Sequence, residues 1–233
     1  MIDAFLITCE HGGNRIPAPY RPLFRGWQAL LASHRGYDAG ALVMAKALAT
    51  AFGAPLVSAS VSRLLVDLNR SIGNPRVFSA ATHGMPATFR EAIVEAYYRP
   101  YRTQVERLVR QSVSRGRRVI HISSHSFTPA LDGKVRNADV GLLYHPGRPG
   151  EAALCAHWKA ALAALDPRLR VRRNYPYAGK GDGLTAYLRR CFPSDVYIGI
   201  ELEVNQGTVL AAGRGWKALR ATLIDGLRIA RAA

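Results

Sequence analysis

The chain has 233 residues, 48% of them hydrophobic, and a formal net charge of +16 at pH 7. This length and composition predict a single domain, residues 1–233, around one sizeable core. The absence of any run of about 18 uncharged apolar residues argues against a membrane span. The positive charge favours anionic partners, from small carboxylates to nucleic acid, but does not choose among them.

The amino terminus and the cysteines together predict a cytoplasmic protein. The first residues include Asp3 and lack the basic region and long apolar stretch of a secretory signal. The three cysteines, Cys9, Cys155 and Cys191, are odd in number and have no C-x-x-C spacing. That pattern argues against a disulfide framework and against a cysteine-rich zinc site.

Apolar runs typical of strands alternate along the chain with segments of helical periodicity. Strands are predicted at 4–10, 54–62, 118–126, 140–146, the start of 169–177, and 196–205; helices are predicted at 39–53, 87–116 with a bend near Pro100, 150–165, 183–192 and 215–232. This alternation predicts an α/β fold of three layers, α/β/α, with a mixed, mostly parallel sheet. Ligands of such sheets bind at the carboxyl ends of strands, so polar residues that follow apolar runs are functional candidates.

The first such candidate is His11, in the stretch TCEHGGNR at residues 8–15. The two glycines after His11 allow a sharp turn and the close approach of a ligand. His11 is therefore a candidate metal ligand, with a purely structural turn as the alternative. A phosphate loop is excluded because the stretch has neither a G-x-G-x-x-G nor a Gly-Lys-Ser/Thr pattern.

Two later strands also end in polar residues. His125 closes the stretch HISSHS beside hydroxyl groups that can hold its second ring nitrogen, as a zinc histidine requires. His121 is expected to pack within the sheet. Glu201 and Glu203 lie two residues apart, on one face of the last strand, and burying both is costly without a cation or an arginine. Asn205 and Gln206 continue the polar run after Glu203, as expected at the rim of an active site; an exposed edge strand is the alternative for the two glutamates.

The loop SRLLVDLNRS combines charged and amide side chains. Asp67 is suited to orient an arginine such as Arg63, and the adjacent Asn69 and Arg70 are suited to hold a carboxylate or to polarise a carbonyl. A loop salt bridge is the competing interpretation. Asp38, ahead of a predicted helix, is either its N-cap or an oxygen ligand for a metal.

A second loop, RRNYPYAGKGDG, is rich in glycine, proline and aromatic residues. Loops that carry function are often of this mobile, surface type. The loop carries Arg173, Asn174, Tyr175, Lys180 and Asp182 and is expected to close over a substrate, with Arg173, Asn174 and Tyr175 as the candidates for substrate binding.

Four of these motifs, taken in order, resemble the N-formylglutamate amidohydrolase family. They are H-G-G-x-x-x-P near the start, S-R-x-x-x-D-L-N-R, a strand ending in H-S, and a late E-x-x-Q, and they extend from about residue 6 to about residue 206. Members of the family are taken to be zinc-dependent hydrolases that convert N-formyl-L-glutamate into formate and glutamate. The order also resembles the wider zinc carboxypeptidase and aspartoacylase group, which implies a fold of the zinc-carboxypeptidase, phosphorylase/hydrolase-like type.

The resemblance implies roles for particular residues. His11 and His125 match the zinc histidines, and Glu203 matches the catalytic glutamate. Asn69 and Arg70 match the pair that grips the substrate.

The chain departs from the wider group at two positions. Asn14 stands where that group has a zinc-binding glutamate, so the missing carboxylate is expected from Asp38, with Glu10 as the fallback. Ser123 stands where relatives tend to carry an aspartate ahead of the strand-end histidine. The resemblance therefore supports zinc-dependent chemistry in this chain more strongly than it supports a particular substrate.

The resulting prediction is a hydrolase with one zinc ion per chain, in which Glu203 is the general base and Arg63 or Arg70 stabilises the oxyanion. The expected partner is a small anionic N-acyl amino acid, with no nucleic acid and no membrane. Three alternatives remain: a hydrolase of another N-acyl amino acid or peptide-like amide, a family member that binds a ligand without catalysis, and a nucleic-acid-binding protein that uses the basic surface.

Overall fold

The computed structural model describes residues 2–211 and 213–233, and its centre is a six-stranded sheet. In chain order the strands are β1 (Ile2–Cys9), β2 (Leu56–Ser58), β3 (Arg117–Phe127), β4 (Ala130–Leu131), β5 (Lys134–Val135), β6 (Val140–Leu143), β7 (Val171–Arg173) and β8 (Tyr197–Asn205). The sheet order is β2-β1-β3-β8-β6-β7, and β4 pairs with β5 in a separate hairpin. Every predicted strand is present, although β2, β6 and β7 are shorter than predicted.

Four strands of the sheet run in one direction and two run in the other. The pairs β1–β2, β1–β3 and β3–β8 are parallel, whereas β6 is antiparallel to β8 and parallel to β7. The mixed, mostly parallel sheet is therefore confirmed. Because β6 and β7 are reversed, their carboxyl ends point away from the edge at which β1, β3 and β8 end.

Helices cover both faces of the sheet. They are α1 (Gln28–Leu31), α2 (Ala41–Phe52), α3 (Ala80–His83), α4 (Ala87–Ile93), α5 (Arg99–Val113), α6 (Pro149–Leu165), α7 (Leu184–Cys191), α8 (Gln206–Leu210) and α9 (Arg214–Ala232), with a 3₁₀ segment at Ala18–Phe24. The short elements α1, α3 and α8, the 3₁₀ segment and the β4–β5 hairpin were not predicted. Within the described residues, no helix is both long enough and apolar enough to cross a membrane.

The predicted helix at 87–116 is two α-helices joined by a π-helical stretch. The helix α4 gives way to π-type hydrogen bonding over Val94–Tyr98, and α5 begins at Arg99. Pro100 lies in the first turn of α5 and has no backbone N–H to donate to the preceding turn. The wider π turn accommodates this missing donor.

The alternation of side chains along β1 divides the core into two layers. Ile7 and Cys9 pack on the face covered by α2, α6 and α9, together with Trp158, whereas Leu6 packs on the face covered by α5 and α7, with Tyr101. Successive residues of a strand point to opposite faces, so one buried strand serves both layers. Each fully buried large side chain contributes about 1.5–3 kcal/mol of hydrophobic free energy. The result is the predicted three-layer α/β/α arrangement.

Candidate active site

The carboxyl ends of β1, β3 and β8 bring the predicted functional residues to one edge of the sheet. Parallel pairing places Thr8 beside Ser123, Ser123 beside Glu201, and His125 beside Glu203. His11 follows β1 by two residues. Because the three strands are parallel neighbours, polar residues that are more than 100 positions apart in sequence share this edge.

Three buried side chains at this edge form a group that can hold a metal ion. His11, Asp38 and His125 each offer one ligand atom, and these atoms lie within 4.8 Å of one another. The Nδ1 atoms of His11 and His125 lie 3.3 and 2.8 Å from Asp38 Oδ2. Asp38 is not an N-cap, since α2 has Gly40 in that position without a side-chain cap.

The outer ring nitrogens of both histidines contact other carboxylates. His11 Nε2 lies 2.7 Å from Asp67 Oδ1, and His125 Nε2 lies 3.0 Å from Glu10 Oε2. A histidine that binds a metal through one nitrogen commonly donates the other N–H to a carboxylate, which fixes its tautomer and orientation. Both histidines thus have the surroundings of metal ligands.

The ionisation of the cluster favours a cation. Burial by itself raises the pKa of Asp38, but His11, His125 and Arg63 outweigh burial and hold this pKa well below its ordinary value. The pKa values of Glu10 and Asp67 are lowered against burial in the same way, by His125 and Ser123 for Glu10 and by Arg63 and His11 for Asp67.

Arg63 pairs with two of these carboxylates, those of Asp38 and Asp67, whereas the Glu10 carboxylate contacts His125. In the protein alone, burial lowers the pKa of His125, but Asp38 and Glu10 outweigh it and raise this pKa well above its ordinary value. Metal binding therefore has to displace a proton from His125. The donor set of two imidazoles and one carboxylate matches the protein ligands of catalytic zinc sites.

Glu203 lies beside this group with an unsatisfied carboxylate. Its Oε2 atom is buried and has no hydrogen-bond partner among the described residues, and the residue is only 5% exposed. Burial raises the pKa of Glu203 to about 8, with the charge of Asp38 adding to the effect. A carboxyl group with a pKa near neutrality is suited to accept and return a proton.

A pocket of about 760 Å³ opens in front of these groups. It is lined by His11, Asp38, Asp67 and Glu203 on its inner side, and its remaining wall is formed by His34, Arg35, Arg63, Leu64, Asn69, Arg70, Pro75, Arg76, Phe78, Ser79, Ser126, Tyr177, Ala178, Gly181, Asp182 and Glu201. This volume is in the range of pockets that enclose drug-sized ligands, about 300–1,000 Å³. Glu201 and Glu203 line the same pocket, as their spacing predicted.

Arg63, Arg70 and Asn69 line the pocket as predicted, and each also forms contacts with other residues of the protein. Arg63 bridges Asp38 (3.4 Å) and Asp67 (2.7 Å), so Asp67 orients an arginine as expected. Asn69 Nδ2 lies 3.5 Å from His125 Nε2, and its Oδ1 accepts a hydrogen bond from the Leu184 N–H. These contacts hold two pocket-lining side chains, Arg63 and Asn69, close to the histidines.

The second predicted loop reaches the pocket with Asp182, but not with the three residues predicted to bind the substrate. Arg173, Asn174 and Tyr175 do not line the pocket; Asn174 Oδ1 instead accepts hydrogen bonds from the N–H groups of Tyr144 and Gly179. The reversal of β6 and β7 is the reason, since residues that follow β7 leave the sheet at the far edge.

The chain then returns to the pocket with Tyr177, Ala178, Gly181 and Asp182. Asp182 accepts hydrogen bonds from Ser71 and from Asn74 Nδ2, and Arg70 donates to its carbonyl oxygen at 3.0 Å. The two predicted loops are therefore tied together at the rim of the pocket.

Other polar residues noted in the sequence have structural contacts. Asn14 donates to the Leu31 carbonyl, outside the pocket. His121 lies inside the sheet, 2.8 Å from Thr8 Oγ1 and 2.7 Å from the Tyr197 hydroxyl, and burial lowers its pKa to about 4.

Asn205 caps α8, and the neighbouring Gln206 donates to Ser126. Neither lines the pocket, so the polar run that follows Glu203 is not part of the pocket wall.

The predicted hydroxyl support of His125 is present, since Ser123 Oγ lies 2.9 Å from His125 Nε2, but the sequence reasoning missed the buried carboxylate of Glu10 beside it. Ser123 Oγ donates to Glu10 Oε2 at 2.6 Å, and the Tyr101 hydroxyl donates to Glu10 Oε1 at 2.9 Å. Glu10 therefore supplies a carboxylate next to Ser123, where the resemblance leads one to expect an aspartate. The only signal in the sequence was an acidic residue at the end of an otherwise apolar strand.

Comparisons with known proteins place this arrangement in a family. The model of the N-formylglutamate amidohydrolase family matches residues 3–210. The crystal structure of a gene product of Agrobacterium tumefaciens superimposes with a TM-score of 0.84 at 28% identity, over 98% of this chain and 90% of that one. The N-formylglutamate amidohydrolase of Ralstonia eutropha JMP134 shares the fold, with a TM-score of 0.71 at 18% identity over 99% and 94% of the two chains. No protein of curated function matches the chain.

Proposed function

The chain belongs to the N-formylglutamate amidohydrolase family, a family of hydrolases, and from this premise we propose that it is a zinc-dependent enzyme that cleaves the amide bond of an N-formyl or other N-acyl acidic amino acid, with N-formyl-L-glutamate as the reference substrate. One observation carries the proposal: His11, Asp38 and His125 converge, and two of them, His11 and Asp38, line a pocket that Glu203 and Arg70 also line.

In this proposal His11 Nδ1, His125 Nδ1 and an oxygen of Asp38 hold the ion. When bound, zinc supplies a Lewis acid that activates water and polarises the amide carbonyl group. Asp67 and Glu10 hold the outer nitrogens of the two imidazoles, at 2.7 and 3.0 Å.

Glu203 is the proton carrier in the proposed reaction. Its free oxygen, Oε2, takes a proton from the attacking water and returns it to the nitrogen of the leaving amine. A cation beside Glu203 lowers the pKa of this carboxyl from its raised value toward neutral pH. Glu203 can therefore act as base and then as acid in one cycle.

Two arginines have separate roles in the proposed reaction. Arg63 is held by Asp38 and Asp67 next to the centre, where its positive charge stabilises the negative oxygen of the tetrahedral intermediate. Arg70, with Asn69, binds a carboxylate of the substrate through charge-assisted hydrogen bonds. The surplus of positive charge on the protein favours the approach of an anionic substrate.

The pocket volume supports a second class of substrate. A pocket of about 760 Å³ is within the range for drug-sized ligands, whereas N-formylglutamate is a much smaller molecule. Larger N-acyl amino acids and short peptide-like amides are therefore included among the substrates to be tested.

The test is a metal assay combined with a hydrolysis assay. Purified protein should contain about one zinc ion per chain, lose hydrolysis of N-formyl-L-glutamate or of another member of an N-acyl amino acid panel with a chelator, and regain it when zinc is added. His125→Ala should abolish both metal binding and hydrolysis. His157→Ala, which changes an exposed histidine on α6, is the matched control and should change neither. Wild-type protein that binds no metal, or that hydrolyses no member of the panel, would refute the proposal.

A further inference from the structure

The two metal-binding histidines of the proposed site are held in the same way from different directions. In each imidazole Nδ1 faces Asp38, and Nε2 faces a second buried carboxylate. For His11 that carboxylate is Asp67, which comes from the loop after β2; for His125 it is Glu10, which is the neighbour of His11 in the chain.

The contacts of Glu10 exclude it from the ligand set. The residue is completely buried, and its two oxygens have separate partners. Oε1 accepts a hydrogen bond from the Tyr101 hydroxyl at 2.9 Å, and Oε2 lies 2.6 Å from Ser123 Oγ and 3.0 Å from His125 Nε2. Glu10 contacts His125 at Nε2, whereas Asp38 contacts the other ring nitrogen, Nδ1, at 2.8 Å. Glu10 therefore faces the outer side of the imidazole, away from the place of the ion.

The donors around Glu10 determine what the carboxylate can do there. Tyr101 and Ser123 each direct a hydroxyl proton at the carboxylate and leave one acceptor position of Oε2 facing the imidazole; Ser123 Oγ, whose proton is used in that bond, also lies 2.9 Å from His125 Nε2 as an acceptor. An imidazole opposite that position places its single N–H on Nε2 and leaves a lone pair on Nδ1. A metal requires that tautomer.

We infer that Glu10 is a positioning residue, which selects the Nε2–H tautomer of His125 and orients its Nδ1 atom toward the metal site that includes Asp38. The inference rests on the metal site of the proposed function but not on the identity of the substrate. Glu10 thus does for His125 what Asp67 does for His11. One turn of the chain supplies both a ligand, His11, and the support of the second ligand.

The experiment measures zinc affinity by competition with a chelating dye in the wild type, Glu10→Gln and Asp67→Asn. Loss of such a supporting carboxylate reduces metal affinity by about 10- to 100-fold, and we expect losses in this range for both variants. Glu201→Gln is the matched control: Glu201 is another carboxylate of the same pocket, but it contacts Thr185, and its substitution should leave zinc affinity within about threefold of the wild type. Wild-type affinity in Glu10→Gln, with a loss in Asp67→Asn, would overturn the inference.

Two spectroscopic readouts separate positioning from ligation and from a general effect on folding. The cobalt-substituted Glu10→Gln protein should keep the absorption band positions of the wild type, because the ligand set is unchanged; shifted bands would make Glu10 a ligand and overturn the inference. In zinc-loaded wild-type protein, a long-range ¹H–¹⁵N spectrum should place the His125 proton on Nε2. A proton on Nδ1 would overturn the inference even if Glu10→Gln did not fold.

The outcomes also distinguish this inference from the proposed function. Wild-type protein that binds no zinc would refute both. Wild-type protein that binds zinc, loses affinity in Glu10→Gln and hydrolyses no N-acyl amino acid would refute the proposed reaction and leave the role of Glu10 intact.

Discussion

The buried centre of the site and the rim of its pocket are built in different ways. His11, Asp38, His125 and Glu203 are each at most 5% exposed, and three of them lie at or just beyond the ends of neighbouring strands. The rim consists of loop residues such as Tyr177, which is 46% exposed and is held through hydrogen bonds between loops. The sheet register thus determines the chemistry at the centre, and the loops determine which molecules reach it.

The contrast predicts that substitutions at the centre change turnover, whereas substitutions at the rim change the affinity for the substrate. The centre is surrounded by packed side chains that cannot relax, so the loss of one group there is not compensated. The rim faces solvent, so water can replace many of the hydrogen bonds that a lost side chain made.

The largest effect is expected for Glu203→Gln. Removal of a general base reduces turnover by about 10²- to 10⁴-fold, and the zinc content should stay at the wild-type level because Glu203 is not a proposed ligand. Steady-state kinetics and metal analysis of the same preparation test this prediction. Glu201→Gln is the control on the same strand face, and an equal loss in the two variants would contradict the specific role of Glu203.

Glu203→Gln should also make the metal-free protein more stable than the wild type at high pH. The pKa of the Glu203 carboxyl is about 8 in the folded protein, against an ordinary value of 4.5, so the folded state binds more protons than the unfolded state between these values. The free energy of unfolding of the wild type should therefore fall as the pH rises through this window, relative to Glu203→Gln, by on the order of 4 kcal/mol.

Urea unfolding of both metal-free proteins at several pH values between about 5 and 8 measures this difference. With zinc bound the difference should shrink, because a cation beside the carboxyl lowers its pKa. A constant difference between the two proteins across the pH range would contradict the account of a carboxyl group that is buried without a partner.

Arg70→Ala should have the next largest effect and should appear mainly in KM. A hydrogen bond to a charged group contributes about 1.5–3 kcal/mol, which corresponds to a loss of about 10- to 150-fold in kcat/KM. Arg76→Ala, which removes an exposed arginine from the same pocket wall, should lower kcat/KM only a few-fold. Equal losses in the two variants would show that Arg70 contributes general charge and no specific contact.

The smallest effect is expected at the contact between the two loops. Asp182→Asn weakens the hydrogen bonds from Ser71 and Asn74 and should raise KM by about tenfold or less, since a net hydrogen bond contributes about 1 kcal/mol. Zinc affinity should not change. Asp225→Asn, at an exposed position of α9, is the control for the loss of one negative charge. A change in zinc affinity in Asp182→Asn would mean that the rim and the centre are coupled.

Much of the fold could be predicted because its signals are local. The apolar runs at β1, β3 and β8 and the periodicity of α2, α6 and α9 are properties of short segments, and each element was predicted close to its observed position. The same signals do not distinguish a parallel strand from an antiparallel one. For that reason the reversal of β6 and β7 was missed, and with it the displacement of Arg173, Asn174 and Tyr175 from the pocket.

The residues of the candidate site show the same difference between what local sequence predicts and what it does not. The sequence by itself predicted His11, His125 and Glu203 as polar residues at the ends of apolar runs that also match the family motifs, whereas Asp38 was predicted only because the resemblance left one carboxylate missing. The role of Glu10 depends on the distances between side chains of different strands, which the sequence does not contain. Only the tertiary structure could place Glu10 behind His125 and Asp38 in front of it, because the packing of β1 against β3 decides which side of the imidazole each carboxylate faces.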